Sequence, residues 1–520
     1  MTQSEAKKRK VLMVYPDFVE NSTGTQLKGS YSEGIASISA VLKLNGHQVS
    51  LYHLASMVTK EEYLKRLQEE QADIITFSTW TSAYKVVKQL LVWTKELPNV
   101  FVVVGGYHAT LAPDEVIADE GVDAICIGEG EYPLLDICER LTSPELLYQT
   151  ESIWFNKDGQ VIKNPVRPFI EDLDTLPPPD MELFDFDSFL SSRIKTAIVM
   201  VSRGCIFSCT YCANSKLRSV YPKGHVYARF KGARNAINYL KSILEKYPFI
   251  EYFNFMDSII NMNRKWFDEF IVLYAQEICI PFACRLRPDL LDEETARKLK
   301  EANCYLADIG IECGNQEIRS KYLNRKMTNE TIEKSFSHLR KYKISTLCFN
   351  IVGLPYESIH NTLETIKLDA KVRPNKIVVS IFRPFPHTRL TEIAREAGFV
   401  TGEVDWEQEV TCHQPQYPDK QVLFAQHYFR FYVKLYKLAF KCPKWLGKPL
   451  EKFFDFTFTF KYKPHGLLVA LHIGWGKLIH GLKRLLMKIS PKFYIFLRNK
   501  SVKLKNNKNS QKKSIPDIQS

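Results

Sequence analysis

The sequence contains no apolar run long enough to cross a membrane. Its longest weakly polar stretch, GLLVALHIGWG at 466–476, is well short of the ~20 residues that a transmembrane helix needs. The basic cluster in MTQSEAKKRKVLMVYP runs directly into a short predicted strand, so we expect no secretory signal peptide. Of the 520 residues, 45% are hydrophobic and 25% charged. That composition argues against a disordered or integral membrane protein and allows two or three domains.

The 12 cysteines lack the spacing of a disulfide-rich secreted domain. We therefore expect reduced thiols and a cytoplasmic location. Cys126, Cys138 and Cys348 have apolar neighbours and are predicted to be core residues.

Three further cysteines, Cys205, Cys209 and Cys212, fall within eight residues of the segment VMVSRGCIFSCTYCANS. A structural zinc site uses four ligands, commonly two pairs, and no second pair or nearby Cys/His partner exists. A disulfide would use only two of them, and an iron–sulfur cluster with four protein thiolates would need another cysteine. Three thiolates are able to hold three irons of a cubane and leave the fourth open to a substrate. The alternative is an incidental grouping, which the spacing argues against.

Strand–helix alternation in the first 140 residues predicts a parallel, doubly wound sheet. The predicted strands are 10–16, 49–54, 72–79, 100–106 and 122–128, and the predicted helix 34–49 ends at Gly46. Ligands of such sheets bind beyond the carboxyl ends of the strands. The loops GGYHAT (105–110) and GEGE (128–131) follow two of these strands, and their glycines allow a ligand to approach the backbone closely. Ordinary turn chemistry is the alternative.

A second alternating series predicts a partial barrel of about six strand–helix units. Its predicted strands are 196–202, 251–257, 281–287, 305–312, 345–353 and 376–384. The three cysteines follow the first of them, and barrel active sites lie at such C-terminal strand ends. Between the two series, a Pro-rich, acidic segment containing EDLDTLPPPDMELFD is a predicted linker.

The basic character of the protein is confined to its C-terminal fifth. Residues 421–520 contain 21 lysines and arginines and three acidic residues, a net charge of +18, whereas the whole chain carries +13. Residues 1–420 therefore carry −5. The segments 422–440 and 476–489 place apolar and basic residues on different helix faces, and the last residues read as a disordered tail. A membrane-surface helix and a helical cap on the barrel remain alternative interpretations.

The motif C-x-x-x-C-x-x-C, with Tyr211 before its last cysteine, resembles the radical S-adenosylmethionine (SAM) superfamily. In that family the open iron of a 4Fe–4S cluster chelates SAM, and one electron cleaves SAM to methionine and a 5′-deoxyadenosyl radical. The segments FNFMDSIINMN (253–263), DIGIECGN (308–315), NIVGLPYES (350–358) and FRPFPHTRL (382–390) resemble later family motifs in order. Ser258 replaces an Asp of that pattern, and His387 replaces a Gly. By the same match Glu312 contacts the ribose or amino group of SAM.

The N-terminal segments GIASISAVLKLNGHQV, VVVGGYHATLAPDEV and IGEGE resemble the cobalamin-binding domain of class B radical SAM enzymes. The resemblance covers roughly 10–400. It implies that cobalamin is bound by seven residues: Gly105, Gly106, His108, Thr110, Gly128, Glu129 and Gly130. The signature D-x-H-x-x-G, whose histidine ligates cobalt, is absent. We therefore expect His108 to line the corrin pocket rather than to ligate cobalt.

The predicted domains are a cobalamin-binding domain at 1–145, a linker at 146–192, a radical SAM barrel at 193–400, a basic amphipathic helical region at 401–500 and a disordered basic tail at 501–520. The resemblance implies three cofactors: a 4Fe–4S cluster, SAM and cobalamin. It also implies an external electron donor such as flavodoxin or ferredoxin, and methyl transfer to an unactivated carbon. Cyclisation or another oxidative tailoring reaction is the alternative outcome. No general acid or base is identified.

Other classes of function fit less well. A cobalamin sensor would not need the three cysteines, and a methylthiotransferase would need cluster cysteines in its N-terminal domain, where none precedes Cys126. An RNA-directed methylase would use the basic tail to meet phosphates. The aromatic and aliphatic residues among those charges favour an anionic membrane surface instead. We therefore expect a small-molecule or lipid substrate, no nucleic-acid partner, and a cytoplasmic protein that binds peripherally to the inner face of the membrane through 476–489.

Overall fold

The computed structural model describes residues 8–17, 30–186, 189, 191 and 194–489. Its N-terminal part is a seven-stranded sheet in the order β2-β1-β3-β4-β5-β6-β7, in which β1 to β5 are parallel. The strands are β1 (Lys10–Pro16), β2 (Gln48–Leu54), β3 (Ile74–Ser78), β4 (Phe101–Gly105), β5 (Ala124–Cys126), β6 (Ile153–Lys157) and β7 (Gln160–Lys163). Six of the seven residues of β1 are buried, because helices cover both faces of a parallel sheet.

Seven helices connect and cover these strands. They are α1 (Glu33–Leu44), α2 (Lys60–Glu70), α3 (Tyr84–Thr94), α4 (Tyr107–Leu111), α5 (Pro113–Ile117), α6 (Glu131–Arg140) and α7 (Pro144–Leu147). Helix α1 ends as predicted, with Gly46 at φ +84 just after it, a conformation that glycine adopts without steric cost. The expected doubly wound fold is confirmed.

The segment predicted as a linker from residue 146 extends this sheet instead. Strand β6 pairs antiparallel with β5, and β7 pairs antiparallel with β6. Asp158 and Gly159 both have positive φ, as the two central residues of a type I′ hairpin turn require. The sequence pattern missed this hairpin because β7 is an edge strand with mostly exposed side chains. It therefore lacks the apolar run that marks a buried strand.

The second part is a six-stranded parallel sheet in the order β15-β14-β13-β12-β11-β8, which confirms the predicted partial barrel. Its strands are β8 (Thr196–Val199), β11 (Tyr252–Phe255), β12 (Phe282–Leu286), β13 (Cys304–Glu312), β14 (Ser345–Val352) and β15 (Lys376–Ile381). A small antiparallel pair, β9 (Ser202–Arg203) and β10 (Arg229–Phe230), lies beside the end of β8.

Eight helices surround the barrel sheet or follow its strands. They are α8 (Ala213–Ser219), α9 (Ala233–Lys246), α10 (Arg264–Glu277), α11 (Glu293–Glu301), α12 (Gln316–Lys321), α13 (Asn329–Lys341), α14 (Ile359–Val372) and α15 (Arg389–Glu396). Their buried faces pack on one side of the sheet, against residues such as Val199, Phe255 and Ile309. These helices do not cover the opposite face of the sheet, which is therefore available to a ligand.

Two C-terminal helices, α16 (Asp419–Ala439) and α17 (Lys444–Thr459), belong to the same compact unit. Helix α16 packs on α14 and β15 and buries Phe429 and Tyr436, so this part of the basic region caps the edge of the barrel. Helix α18 (His465–Ile489) belongs to a separate unit. None of the described helices is both long and apolar enough to traverse a bilayer. The predicted tail at 501–520 lies outside the described residues.

Candidate active site

The three clustered cysteines lie on a single turn between β9 and α8, at the C-terminal end of the first barrel strand. Cys205 and Cys209 are buried and Cys212 is half-buried. The Cys212 N–H donates to the Cys209 carbonyl at 3.1 Å, which closes the turn. Gly204 has φ +81, and a Cβ there would lie 2.2 Å from the Tyr227 carbonyl oxygen. Only glycine therefore lets the chain enter the turn, and the structure places the cysteines where barrel enzymes hold their active sites.

The surroundings of Cys209 suit negatively charged sulfur. Arg287 donates to the Cys209 Sγ at 3.3 Å, and its guanidinium lies 3.7 Å from the centre of the Phe207 ring. Arg325 approaches the same sulfur at 4.0 Å. Burial raises the pKa of the Cys212 thiol to about 11, so a bound metal would have to displace its proton.

No three His, Cys, Asp or Glu side chains among the described residues converge on one point, as a single metal ion would require. A cubane cluster places a different iron behind each thiolate and does not need that convergence. Three thiols on one turn therefore fit a cluster in which each thiolate binds a separate iron.

Tyr211 and Glu312, which were predicted from different motifs, lie together beside this turn. The Tyr211 hydroxyl and the Arg325 guanidinium both lie near the Glu312 carboxylate. Burial raises the pKa of Glu312, whereas the nearby Arg325 and Tyr211 lower it. Glu312 ends β13 with φ +66 at a register shift. This conformation directs its carboxylate back over Gly310, where an added Cβ would collide with it.

The two Gly-rich loops of the N-terminal sheet are joined by Thr110. Its hydroxyl donates to the Gly106 carbonyl at 3.0 Å and accepts from the Gly128 N–H at 3.1 Å. Gly106 has φ +91, and a Cβ there would lie 2.8 Å from the Thr79 nitrogen. Gly105 is the last residue of β4 and lies against the Cys126 side chain. These glycines therefore let the β3, β4 and β5 ends approach one another closely.

His108 is enclosed by its own domain. Its ring centroid lies 4.0 Å from that of Tyr84, and Nε2 lies 3.7 Å from a Glu115 carboxylate oxygen. The side chain is 4% exposed, and among the residues that the structure describes neither ring nitrogen has a hydrogen-bond partner. Packing on α3 accounts for this position, and the structure does not bring the imidazole to an open surface.

Glu129 connects the loop after β5 to the β9–β10 pair. Its carboxylate accepts from Arg203 at 3.1 Å and from Arg229 at 3.0 Å, and both arginines belong to the β9–β10 pair. Gly130 packs on Ile38 of α1, where a Cβ would lie 2.9 Å away. These two predicted cofactor residues therefore make contacts within the protein, and sequence reasoning missed the arginines that pair with Glu129.

Sequence reasoning also missed a stacked aromatic pair at the same edge. The Trp80 and Tyr107 rings lie 4.6 Å apart at the ends of β3 and β4, and both remain partly exposed, at 46% and 39%. Burial raises the pKa of Tyr107, and the nearby Cys212 thiol adds to the rise. Helix α4, which contains Tyr107, packs on α8, which follows Cys212. The predicted cobalamin edge and the cysteine turn are therefore neighbours.

Two departures from the expected motifs have structural explanations. His387 stands where glycine is usual and adopts φ +54, so it occupies the left-handed conformation that glycine would adopt more readily. Ser258 stands where a second Asp is usual and accepts from Asn214 Nδ2 at 3.3 Å. The preceding Asp257 is fully buried and accepts from Ser202 and from the Val201 N–H. Asp257 therefore supports the chain that leads into the cysteine turn.

Comparisons with known proteins agree with this geometry. Residues 30–137 match the B12 binding domain family, and residues 199–368 match the radical SAM superfamily. An uncharacterised methyltransferase of Pyrococcus horikoshii is 26% identical over 398 residues, covering 75% of this chain and 83% of the relative. The anaerobic magnesium-protoporphyrin IX monomethyl ester cyclase of Rubrivivax gelatinosus is 23% identical and covers 73% of this chain and 69% of the relative.

A solved structure has the same fold. The cobalamin-dependent SAM radical enzyme OxsB, with aqua-cobalamin and SAM bound, aligns with a TM-score of 0.63 at 16% identity. The alignment covers 96% of this chain and 76% of that one.

Proposed function

This chain belongs to the cobalamin-binding radical SAM enzymes, and from that membership we propose that it transfers a methyl group to an unactivated carbon of a hydrophobic small molecule. Its cofactors are a 4Fe–4S cluster, SAM and cobalamin. When bound, the cluster and SAM supply a carbon-centred radical and cobalamin supplies the methyl group. The main support for the proposal is the contact between α4 and α8. Through this contact the proposed cobalamin region and the cysteine turn are close enough to share one substrate site.

The protein's own residues have separate tasks in this proposal. Cys205, Cys209 and Cys212 hold the cluster, and Arg287 stabilises the Cys209 sulfur as a thiolate. Glu312, which lies near the Tyr211 hydroxyl and Arg325, binds a polar group of SAM.

On the cobalamin side, the loops at Gly106 and Gly128 receive the corrin at the sheet edge. Trp80 and Tyr107 offer aromatic surface there. Thr110 holds the two loops in register. His108 supports α4 from behind and makes no bond to cobalt.

The inner face of the barrel sheet supports a hydrophobic substrate. Alternate residues of each strand face the helices and are buried, as Val199, Ile309 and Cys348 are. The intervening residues are partly accessible. Several are apolar, namely Ile198, Leu306, Leu347, Phe349 and Val378, and Asn254, Arg285 and Asp308 add polar groups among them. Because side chains alternate across a strand, these residues line the open side of the sheet. A substrate with a large apolar surface would fill that space and exclude water.

The test is anaerobic turnover with SAM carrying a deuterated methyl group, reduced flavodoxin or ferredoxin, and a hydrophobic extract of the source cells. Methyl transfer predicts a product three mass units heavier than with ordinary SAM, together with 5′-deoxyadenosine. A cyclase, the second candidate because a similar protein carries that name, would form 5′-deoxyadenosine and leave the label out of its product. Absence of 5′-deoxyadenosine in the presence of intact cluster would overturn both candidates.

A hydrophobic substrate would be drawn from a membrane, so we also propose that the protein binds reversibly to an anionic membrane surface. The net charge of +18 in residues 421–520 supports this, because each Lys or Arg near such a surface contributes about 1 kcal/mol. Co-sedimentation of the full chain with anionic vesicles at low and high salt is the test. No sedimentation at low salt would refute the membrane proposal and leave methyl transfer standing.

A further inference from the structure

Helix α17 has two faces of different character. One face packs on α16, with the Phe454 and Phe458 rings 5.8 Å and 4.8 Å from the rings of Tyr436 and Tyr432. Phe454 and Phe458 are buried there. This contact fixes the orientation of α17 about its axis, and so decides which of its residues point away from the rest of the compact unit.

The opposite face carries large aromatic side chains that are open to solvent. Trp445 is 76% exposed, and Phe453 and Phe456 are each 59% exposed. Trp445 and Phe456 are eleven residues apart, which is three helical turns, so they lie on nearly the same line along the helix. We call these three residues the α17 aromatic face. Three such rings on one helix expose far more apolar surface than scattered single residues do, and such patches mark interaction sites.

Three lysines lie beside this face. Lys444, Lys448 and Lys452 follow one another at i,i+4 spacing, and all are exposed. The two acidic residues of the helix lie among these lysines, but Glu451 is half-buried and Asp455 binds Lys367 and the Tyr436 hydroxyl. The exposed charges that border the α17 aromatic face are therefore mainly those of the lysines.

We infer that the α17 aromatic face docks the protein on an anionic lipid surface. Aromatic rings with lysines beside them match the acyl boundary and the phosphate layer of a bilayer at the same time. A tryptophan with an apolar ring and one polar N–H suits that boundary. A second copy of the chain is a poorer match, because a two-fold contact through this face would set lysines against lysines.

This inference rests on the proposed membrane association and names its surface, which differs from the helix expected at 476–489. Since α17 packs on α16, and α16 packs on β15, docking through α17 would hold the edge of the barrel at the membrane. A substrate leaving the bilayer would then have a short path to the apolar inner face of the sheet.

The experiment measures binding of the full chain to vesicles of phosphatidylcholine with phosphatidylglycerol, and to vesicles of phosphatidylcholine alone. We expect the wild type to bind the anionic vesicles at low salt. The triple variant Trp445→Ser/Phe453→Ser/Phe456→Ser should bind at least tenfold more weakly. The variant Lys444→Gln/Lys448→Gln/Lys452→Gln should lose most of the difference between the two vesicle types.

Matched variants separate this surface from exposed apolar residues in general. Val92, Leu146 and Val272 are 40%, 56% and 48% exposed on other helices or turns, and their triple replacement by serine should leave binding unchanged. The variant Leu467→Ser/Leu471→Ser/Trp475→Ser tests α18. If wild-type binding persists in the α17 variants and disappears only in the α18 variant, the inference is wrong although membrane association stands. A concentration-dependent dimer that the α17 aromatic variant abolishes, without vesicle binding, would identify a second copy as the partner instead.

Discussion

Arg203 of β9 and Glu131 of helix α6 form an ion pair between the N-terminal domain and the chain of the barrel. Arg203 Nη2 lies 2.6 Å from Glu131 Oε1. The Glu131 side chain is 3% exposed, and Ser37 donates to the same oxygen at 2.7 Å. Arg203 lies only two residues before Cys205, so the N-terminal domain directly positions the chain that enters the cysteine turn. This pair therefore connects helix α6 of the N-terminal domain with the chain that leads into the cysteine turn.

Breaking this pair should destabilise the protein. Glu131→Gln removes the closest partner of Arg203 but leaves Glu129 at 3.1 Å, so the cost should stay below the about 3–5 kcal/mol of leaving a buried charge without any partner. We expect a lower midpoint of thermal unfolding and a loss of coupling between SAM cleavage and product formation. The control is Glu407→Gln, which removes an exposed pair with Lys85 and should leave the midpoint unchanged. Equal midpoints in the two variants would contradict the structural role of Arg203.

The three cysteines should be individually essential for the cluster. Cys205→Ala, Cys209→Ala and Cys212→Ala should each lose the iron and sulfide of one 4Fe–4S cluster and with it SAM cleavage, because each is expected to bind a separate iron. Cys279→Ala is the matched control, since Cys279 is an exposed free thiol. The measurement is iron and sulfide content after anaerobic reconstitution, together with electron paramagnetic resonance of the reduced protein. A full cluster in all three variants would exclude the assignment.

Glu312 should affect SAM binding without affecting the cluster. Glu312→Gln removes the charge that Tyr211 and Arg325 orient. A hydrogen bond to a charged group contributes about 1.5–3 kcal/mol, so SAM should bind roughly 10–100-fold more weakly. Tyr211→Phe keeps the carboxylate and should have a smaller effect in the same direction, and the exposed Glu317→Gln should have none. Loss of iron in Glu312→Gln would instead show a structural role.

The sequence predicted the regular parts of this fold closely. Strand β1 has the predicted bounds, and the strands that carry the Gly-rich loops and the cysteines were found, because runs such as KVLMVYP are buried at nearly every position. The hairpin β6–β7 was missed because exposed edge strands show little apolar patterning. The contacts of Glu129 with Arg203 and Arg229 were beyond prediction, since residues 74 and 100 positions apart meet only through the packing of two sheets.

The cobalt should lack a protein histidine ligand. His47 accepts from the Arg9 N–H at 3.2 Å, His53 lies 3.2 Å from Asp17, and His108 packs on Tyr84. Because all three rings of the N-terminal domain are buried among the protein's own side chains, cobalamin bound there should show no nitrogen splitting from a protein histidine in electron paramagnetic resonance. The spectrum should be unchanged in His108→Gln. A nitrogen signal that disappears in this variant would identify His108 as the ligand and require α4 to rearrange.

A buried carboxyl of helix α14 should make stability depend on pH. Asp369 of α14 is fully buried beside Asn350 and Cys348, and burial raises its pKa from 3.8 to about 7. Between about pH 4 and pH 7 the folded state keeps a proton on Asp369 that the unfolded state releases. The stabilisation that comes from this proton is therefore complete below about pH 4 and is lost as the pH rises to about 7. Asp369→Asn removes the titration, and its unfolding midpoint should rise relative to wild type between pH 5 and pH 8. The exposed Glu403→Gln variant should have the wild-type unfolding midpoint at pH 5 and at pH 8. If the stability of Asp369→Asn depended on pH as that of the wild type does, Asp369 would not be the group that titrates.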